Sequence, residues 1–333
     1  MDIGFLGAGS IAERHIDAIH RTGAGRVVAL ASRTSERATI LAAKKGISRA
    51  TSDAASILHD PDIAVVVIAY PTFLHASLAI EALRSGKHVV VEKPIAETTD
   101  EAQAMIEAAA SAERQLLVCQ LRRFWPTYAG IKQFVGDGEA GTPHRLMFDF
   151  QADWNWQNRG WRIARPGGYF LDMHVHEIDL LSWWAGVSPT AITGMGTNMA
   201  DREGIVALRY PHAVGSVSFS GRVPGKPYPV GSTSQIHVVC ERGAVDVSVA
   251  GGDVTLRRQI GDAVTTSRRS IGEETSASWD RMWSAFGQAI MGAAPAPLTP
   301  QEAAASLAST LAGVDAMRGA QTIVLPGPPV VYS

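Results

Sequence analysis

Apolar and polar positions change rhythm once along the chain. Up to roughly residue 120, short apolar runs alternate with stretches of helical period, the pattern of a parallel sheet whose strands are each followed by a helix. The expected strands are Ile3–Leu6, Val27–Ala31, Ala64–Ala69, Lys87–Val91 and Gln115–Cys119. The run from Ile63 to Ala69 is apolar throughout, as a central strand covered on both faces should be. Helices are expected at Ile11–Arg21, Ser35–Lys45, Ala54–Leu58, Leu74–Ser85 and Asp100–Ala112, and Ser85-Gly86-Lys87 reads as a helix end. After Cys119 strict alternation takes over, in His144–Gln151, Ala191–Gly196, Gly204–Tyr210, Val214–Ser220, Gln235–Cys240, Ala244–Val249, Asp253–Gln259 and Ala263–Ser267. Arg242-Gly243 and Gly261-Asp262 supply tight turns, so the second sheet is expected to be mostly antiparallel. One helix, Gly168–Trp184, falls between its first strands. Ser220–Ser234, with Pro224, Pro227 and Pro229, reads as a loop, and alanine-rich 302–319 as a helix. The expected fold class is α/β, divided into a parallel-sheet domain over 1–120 and a second domain over 121–333.

Bulk properties narrow the function classes. A length of 333 residues suits two domains, and 46% hydrophobic with 19% charged residues describes an ordinary globular chain. A net charge of −2 gives no reason to expect nucleic acid or an anionic membrane as partner. No apolar run approaches the ~18 residues of a membrane span. The start, Met1-Asp2-Ile3-Gly4, lacks a basic segment and already reads as a strand, so no secretory leader is expected. Two distant cysteines, Cys119 and Cys240, suggest buried thiols in a reducing cytoplasm. No spacing resembles a structural zinc site, and no metal is expected.

Four segments carry chemistry. Gly7-Ala8-Gly9-Ser10-Ile11-Ala12 lies between the first strand and first helix, in the G-x-G-x-x-G/A form of a dinucleotide-binding turn. Gly7 permits the tight turn, Gly9 lets a pyrophosphate approach the backbone, and Ala12 lets helix and strand pack. Ser10 and Ile11 sit where the helix N-terminus meets the phosphates. At the end of the second strand, Ser32-Arg33-Thr34-Ser35-Glu36-Arg37 lacks the carboxylate that favours NAD, while Arg33 and Arg37 suit a 2′-phosphate. NADP(H) is therefore the expected cofactor, with NAD(H) left open; a solvated helix start capped by Ser35 is the plainer reading. Tyr70-Pro71-Thr72-Phe73-Leu74-His75 ends the central strand. Thr72 there is placed to cap the next helix, and His75 either touches cofactor or lies on the helix surface. Glu92-Lys93-Pro94 follows another strand at the sheet edge where ligands bind, so Lys93 should face the cofactor crevice; otherwise it is a surface lysine.

The last segment is the helix holding Asp172, His174, His176, Glu177 and Asp179. Asp172, His176 and Asp179 share one stripe at i, i+4 and i+7. Asp172 can orient His176, whose ordinary pKa of ~6.5 suits proton transfer near neutrality. Two other readings stay open: a structural ion pair, and a divalent metal on Asp172 and His176 with His174 or Glu177, although alternate helix residues point apart. Before this helix, Trp154, Trp156, Arg159, Trp161 and Arg162 form an aromatic and basic segment suited either to holding a sugar or to packing under a sheet.

Together these motifs resemble the glucose-fructose oxidoreductase / inositol dehydrogenase / rhizopine-catabolism (Gfo/Idh/MocA) family over essentially the whole chain. The matching pieces are Gly7–Ala12 with His15, Thr72–His75, Glu92-Lys93-Pro94, Arg122-Arg123-Phe124, Gly138–Gly141, and Gly167-Gly168 with Asp172, His176 and Asp179-Leu180. The resemblance implies a Rossmann domain, then an α/β domain with a large open sheet used for homodimer or homotetramer formation. It implies catalysis by Lys93, Asp172 and His176 on a secondary alcohol of a sugar or cyclitol. Cofactor contacts are further expected at Tyr70, Thr72, His75, Glu92, Trp161 and Arg162, and substrate contacts at Arg122, Trp154, Tyr169 and His174. Ser32 with Arg37, and the segment from Gly160 to Pro166, are similar to NADP-preferring anhydro-sugar reductases of the family. Phe170–Met173 with His176 is similar to its cyclitol dehydrogenases. Tyr70, Tyr169 and His174 depart from the family pattern and narrow or polarise the pocket. Two other activities remain open: a redox-assisted glycosidase with tightly held dinucleotide, and a non-catalytic NADP-binding regulator.

Overall fold

The structure is a computed structural model and describes residues 1–153, 165, 167–197, 202–226 and 231–333. The chain forms two compact units, Met1–Leu121 with Ser278–Ala304, and Arg122–Ala277 with Ala305–Ser333. A single division at 120/121 therefore omits a return: Ser278–Ala304, with Trp279, Trp283 and Phe286 buried, belongs with the first unit. Nothing in local periodicity announces which sheet a distant helix will join.

In the first unit, β1 (Asp2–Leu6), β2 (Arg26–Ala31), β3 (Arg49–Thr51), β4 (Val65–Ile68), β5 (His88–Val91) and β6 (Leu116–Val118) form one parallel sheet. Their order is β3-β2-β1-β4-β5-β6. The chain winds outward from β1 on one side and from β4 on the other, so the crevice between their ends is the switch point where such sheets bind ligands. Between the strands run α1 (Ser10–Thr22), α2 (Ser35–Lys45), α3 (Ala55–Leu58), α4 (His75–Arg84) and α5 (Thr99–Ala112). All of β4 is buried, as its unbroken apolar run predicts. β3 was not expected: its three residues are all half-buried and give no apolar run.

In the second unit, β7 (Pro143–Gln151), β8 (Ala191–Gly196), β9 (Glu203–Arg209), β10 (Val214–Ser220), β11 (Thr233–Cys240), β12 (Gly243–Ala250), β13 (Asp253–Ile260), β14 (Ala263–Ser270) and β15 (Thr322–Val324) make a nine-stranded sheet. Its order is β14-β13-β12-β11-β7-β10-β9-β8-β15, antiparallel except for the parallel pair β7 and β10. The helices here are α6 (Pro126–Gly136) and α7 (Gly168–Ala185), followed by α8 (Ile271–Ile290) and α9 (Pro300–Gly319), which each run from one unit's residues into the other's. α7 packs on β7 and β10, where Phe148, Phe150, Val217 and Phe219 meet Phe170, Ile178 and Leu181 in the core. α6 and α8 were not anticipated. For α8 a signal existed, because Trp279, Met282, Trp283 and Phe286 recur at i, i+3, i+4 and i+7 and are all buried. Among the described residues, no helix is long and apolar enough to cross a membrane.

Candidate active site

In the first unit the candidate site is built largely from backbone. Gly7 has φ of 130° and donates its N–H to Ala31 O at 2.8 Å. A Cβ there would lie 2.6 Å from Ala69 O, so glycine is required. Gly9, exposed at the N-cap of α1, makes no side-chain cap, and a Cβ on it would meet nothing within 4 Å. The N-terminus of α1 thus has no side-chain cap, and the space over Gly9 beside it is open, as an anion site needs. Ala12 is buried beneath, Ser10 is exposed, and the Ile11 side chain stays 40% exposed. At the neighbouring strand end, Ala69 N donates to Leu6 O at 2.8 Å, and burial raises the Tyr70 phenol above its ordinary pKa. Thr72 does not cap α4: a 3₁₀ turn, Thr72–Leu74, intervenes and Leu74 holds the cap position. His75 is neither on the helix surface nor open to the crevice. It is 1% exposed, with Nδ1 2.9 Å from Pro94 O and Nε2 2.9 Å from Tyr70 O. Burial lowers its pKa against the pull of those carbonyls. The ring ties the loop after β4 to the loop after β5. Beyond β2, Ser32 is buried, while Arg33, Thr34, Ser35 and Arg37 are exposed. Thr34, not Ser35, is the N-cap of α2, and it makes no side-chain cap.

After β5, Glu92 N continues the ladder to Ile68 O at 3.0 Å, and the Lys93–Pro94 peptide is cis. Glu92 Oε1 lies 2.8 Å from His15 Nε2, and Glu92 Oε2 accepts the Lys93 N–H at 3.2 Å. Burial would raise the Glu92 carboxyl; the His15 hydrogen bond and the Lys93 charge outweigh it and hold the pKa below its ordinary value.

In the second unit the candidate side chains lie on α7. Asp172, His176 and Trp183 are half-buried, and every other residue of α7 is buried. The expected stripe therefore splits. Asp172 and His176 lie at its open end, whereas Asp179 is paired through two hydrogen bonds to buried Arg123, at 2.7 and 2.8 Å, and accepts from Ser306 Oγ at 2.8 Å. Glu177 is buried and ion-paired to Arg122. Burial pushes the Glu177 carboxyl up, but Arg122 and the hydrogen bond from His174 overcome this and hold it at about 2. His174 is fully buried, its Nδ1 3.2 Å from Glu177 Oε2 and its ring 4.3 Å from Phe219 and 5.3 Å from Tyr169. Glu177 and His174, which a metal reading would add to Asp172 and His176, are thus tied to each other and to Arg122. Tyr169 is itself 1% exposed in this aromatic cluster. Trp154, Trp156, Arg159, Trp161 and Arg162 lie outside the described residues.

Residues 1–120 match the family model described as "Oxidoreductase family, NAD-binding Rossmann fold", and residues 128–246 match the "GFO/IDH/MocA C-terminal domain". The chain belongs to the Gfo/Idh/MocA oxidoreductase family. It is 28% identical over 323 residues to the 1,5-anhydro-D-fructose reductase of Ensifer adhaerens, covering 94% of this chain and 95% of that protein. It is 28% identical over 272 residues to the inositol 2-dehydrogenase of Rubrobacter xylanophilus, covering 77% and 73%. Among solved structures, levoglucosan dehydrogenase in complex with NADH and levoglucosan superposes with a TM-score of 0.84 at 21% identity, covering 98% of this chain and 100% of that one. That likeness shows the fold.

As a Gfo/Idh/MocA protein, the chain has two site features that sequence reasoning missed. Phe73, at the same switch point as Ile11, is 42% exposed. Large apolar side chains left open on both loops of a crevice were detectable only as residues without a core-facing period. The other is Trp283, whose Nε1 donates to His15 Nδ1 at 3.0 Å from 268 residues away, a separation no local pattern can signal.

Proposed function

We propose that this protein is an NADP(H)-dependent oxidoreductase interconverting a secondary alcohol and a ketone on a sugar, anhydro-sugar or cyclitol, with Lys93, Asp172 and His176 as its catalytic residues. The observation that carries the reading is the half-open Asp172/His176 pair on a helix otherwise almost wholly buried. An imidazole with a carboxylate one turn away is what proton transfer at neutral pH requires. The uncapped α1 N-terminus and the open space over Gly9 fit a dinucleotide pyrophosphate. When bound, the nicotinamide supplies the hydride donor or acceptor. His176 takes the hydroxyl proton on oxidation and returns it on reduction, and Asp172 sets the imidazole geometry. Lys93 hydrogen-bonds the reacting oxygen as negative charge develops. Arg33 and Arg37, exposed beside a strand end without a carboxylate, bind a 2′-phosphate. Relatives named for 1,5-anhydro-D-fructose, inositol and levoglucosan support the substrate class. Free, buried Cys119 and Cys240 support a cytoplasmic setting. Met195 and Ile205, exposed cross-strand partners on β8 and β9, support a homo-oligomer.

The test follows reduced-nicotinamide absorbance with NADP and with NAD against inositols, levoglucosan, 1,5-anhydro-D-fructose and aldoses, with Lys93→Met as control. Lys93-dependent turnover favouring NADP supports the reading. Preference for NAD removes the role given to Arg33 and Arg37. Tight cofactor binding without turnover on any of these overturns the enzymatic proposal.

A further inference from the structure

We infer that Trp283, His15 and Glu92 form a hydrogen-bond chain of one fixed polarity that holds Lys93 in place, which makes Trp283 and His15 positioning residues; this rests on the reading of Lys93 as catalytic. An indole N–H only donates. Trp283 Nε1 lies 3.0 Å from His15 Nδ1, so that nitrogen is the acceptor and the ring proton sits on Nε2. From Nε2 it is donated over 2.8 Å to Glu92 Oε1, and the other carboxylate oxygen accepts the Lys93 N–H at 3.2 Å. Every polar group of the chain is thus committed in one direction. The His15 ring is fully buried, 5.7 Å from Phe5, 4.7 Å from Trp279 and 5.6 Å from Trp283, so its plane is set by packing as well. On the far side of Lys93, Pro94 O meets His75 Nδ1 at 2.9 Å.

A metal reading of the same place fails. His15, Glu92 and Cys119 bring ligand atoms within 4.8 Å of one another. Both His15 nitrogens are already engaged, however, and the indole N–H occupies the direction from which a cation would meet Nδ1. Burial and the Glu92 charge also push the Cys119 thiol well above its ordinary pKa, away from the thiolate a metal needs.

Fixed polarity gives a sharp test. In Glu92→Gln, an amide offers one acceptor and one donor where His15 Nε2–H and Lys93 N–H both need acceptors. One pair of donors must then face each other. Adding Trp283→Phe removes the indole donor, so His15 can move its proton to Nδ1, accept from the amide, and leave the amide oxygen to Lys93. The experiment records ¹⁵N spectra of histidine-labelled full-length protein, with His15→Gln for assignment, and hydrogen exchange of the Lys93 amide. It adds kcat and cofactor affinity on whichever of myo-inositol, levoglucosan or 1,5-anhydro-D-fructose turns over. The native protein should show His15 protonated at Nε2 and bare at Nδ1. Glu92→Gln should speed Lys93 amide exchange and lower kcat, each roughly tenfold, at little cost in cofactor affinity. In the Trp283→Phe background the same change should cost less than about threefold, with the His15 tautomer reversed. A native Nδ1–H tautomer, or equal penalties in the two backgrounds, overturns the chain. Full turnover by Lys93→Met, with the tautomer and exchange results as expected, overturns the reading of Lys93 instead and leaves the chain standing.

Discussion

Every residue of β4 is buried, whereas along β10 buried Gly215, Val217 and Phe219 alternate with more open neighbours. The contrast extends to the chemistry. A parallel sheet covered on both faces has no side chains to spare, so the role we propose for the first unit lies at its strand ends, in the amides of α1, a glycine turn and Lys93. A sheet with one face on a helix can give that helix to function. α7 buries nearly all of its residues and leaves Asp172 and His176, the pair we propose as catalytic, half-buried. Two acidic residues on one stripe then diverge. Asp179 spends its charge on Arg123 in the core, while Asp172 is half-buried and is the carboxylate we propose to act with His176. Residue type and helical spacing alone do not separate these roles; burial does.

The comparison breaks most visibly at Arg123. Arg123→Met leaves the Asp179 carboxylate buried without its cation and should cost about 3–5 kcal/mol in urea unfolding, with Asp179→Asn in the same chain restoring part of it. Asp172→Asn should leave the unfolding midpoint where it is and lower turnover, which is the opposite signature on the same stripe. Next in size, Lys93→Met should reduce kcat on the order of 10²-fold, and His176→Asn by at least as much, with cofactor still bound in fluorescence titration. A smaller effect is expected where the first unit works through side chains: Arg33→Ala with Arg37→Ala should weaken NADP binding roughly tenfold and leave NAD binding unchanged.

The smallest effect at neutral pH sharpens the view of α7 as a buried element. Glu177, held at about 2 against an ordinary 4.5, takes up its proton in the unfolded chain first. Its contribution to stability is complete above about 4.5 and is lost as pH falls from there toward 2. Thermal unfolding followed across that window should show a steeper loss in the native protein than in Glu177→Gln. His75 adds a loss of the same sign at higher pH. Its folded pKa lies below the ordinary histidine value, so stability declines as pH falls from that ordinary value through the folded one, and His75→Gln should flatten that limb.

Strand and helix positions were legible where one face of one element meets a continuous core, because that demand writes a period of two or 3.6 into adjacent residues. The strands Ala191–Gly196 and Val214–Ser220 and the helix Ser35–Lys45 appear at their expected bounds. Gly7 and Gly9 were legible for a similar local reason, since a tight turn and an open approach are properties of one or two backbone positions. The parallel sheet followed from the alternation of strand and helix for five of its six strands, but β3 at its edge and the order of the strands did not. What the chain alone could not settle was every relation between distant residues. Nothing near residue 283 marks that tryptophan as the partner of His15, and nothing near Asp179 marks it as the counter-ion of Arg123 rather than a companion of His176. Thr72 looked like a cap because its type suits one, yet an intervening 3₁₀ turn takes the position. Local sequence sets which backbone shapes are cheap. Which charges are buried together, and which polar pair stays open to solvent, is decided only when elements far apart in the chain compete for the same interior, where an unpaired group is too costly to keep.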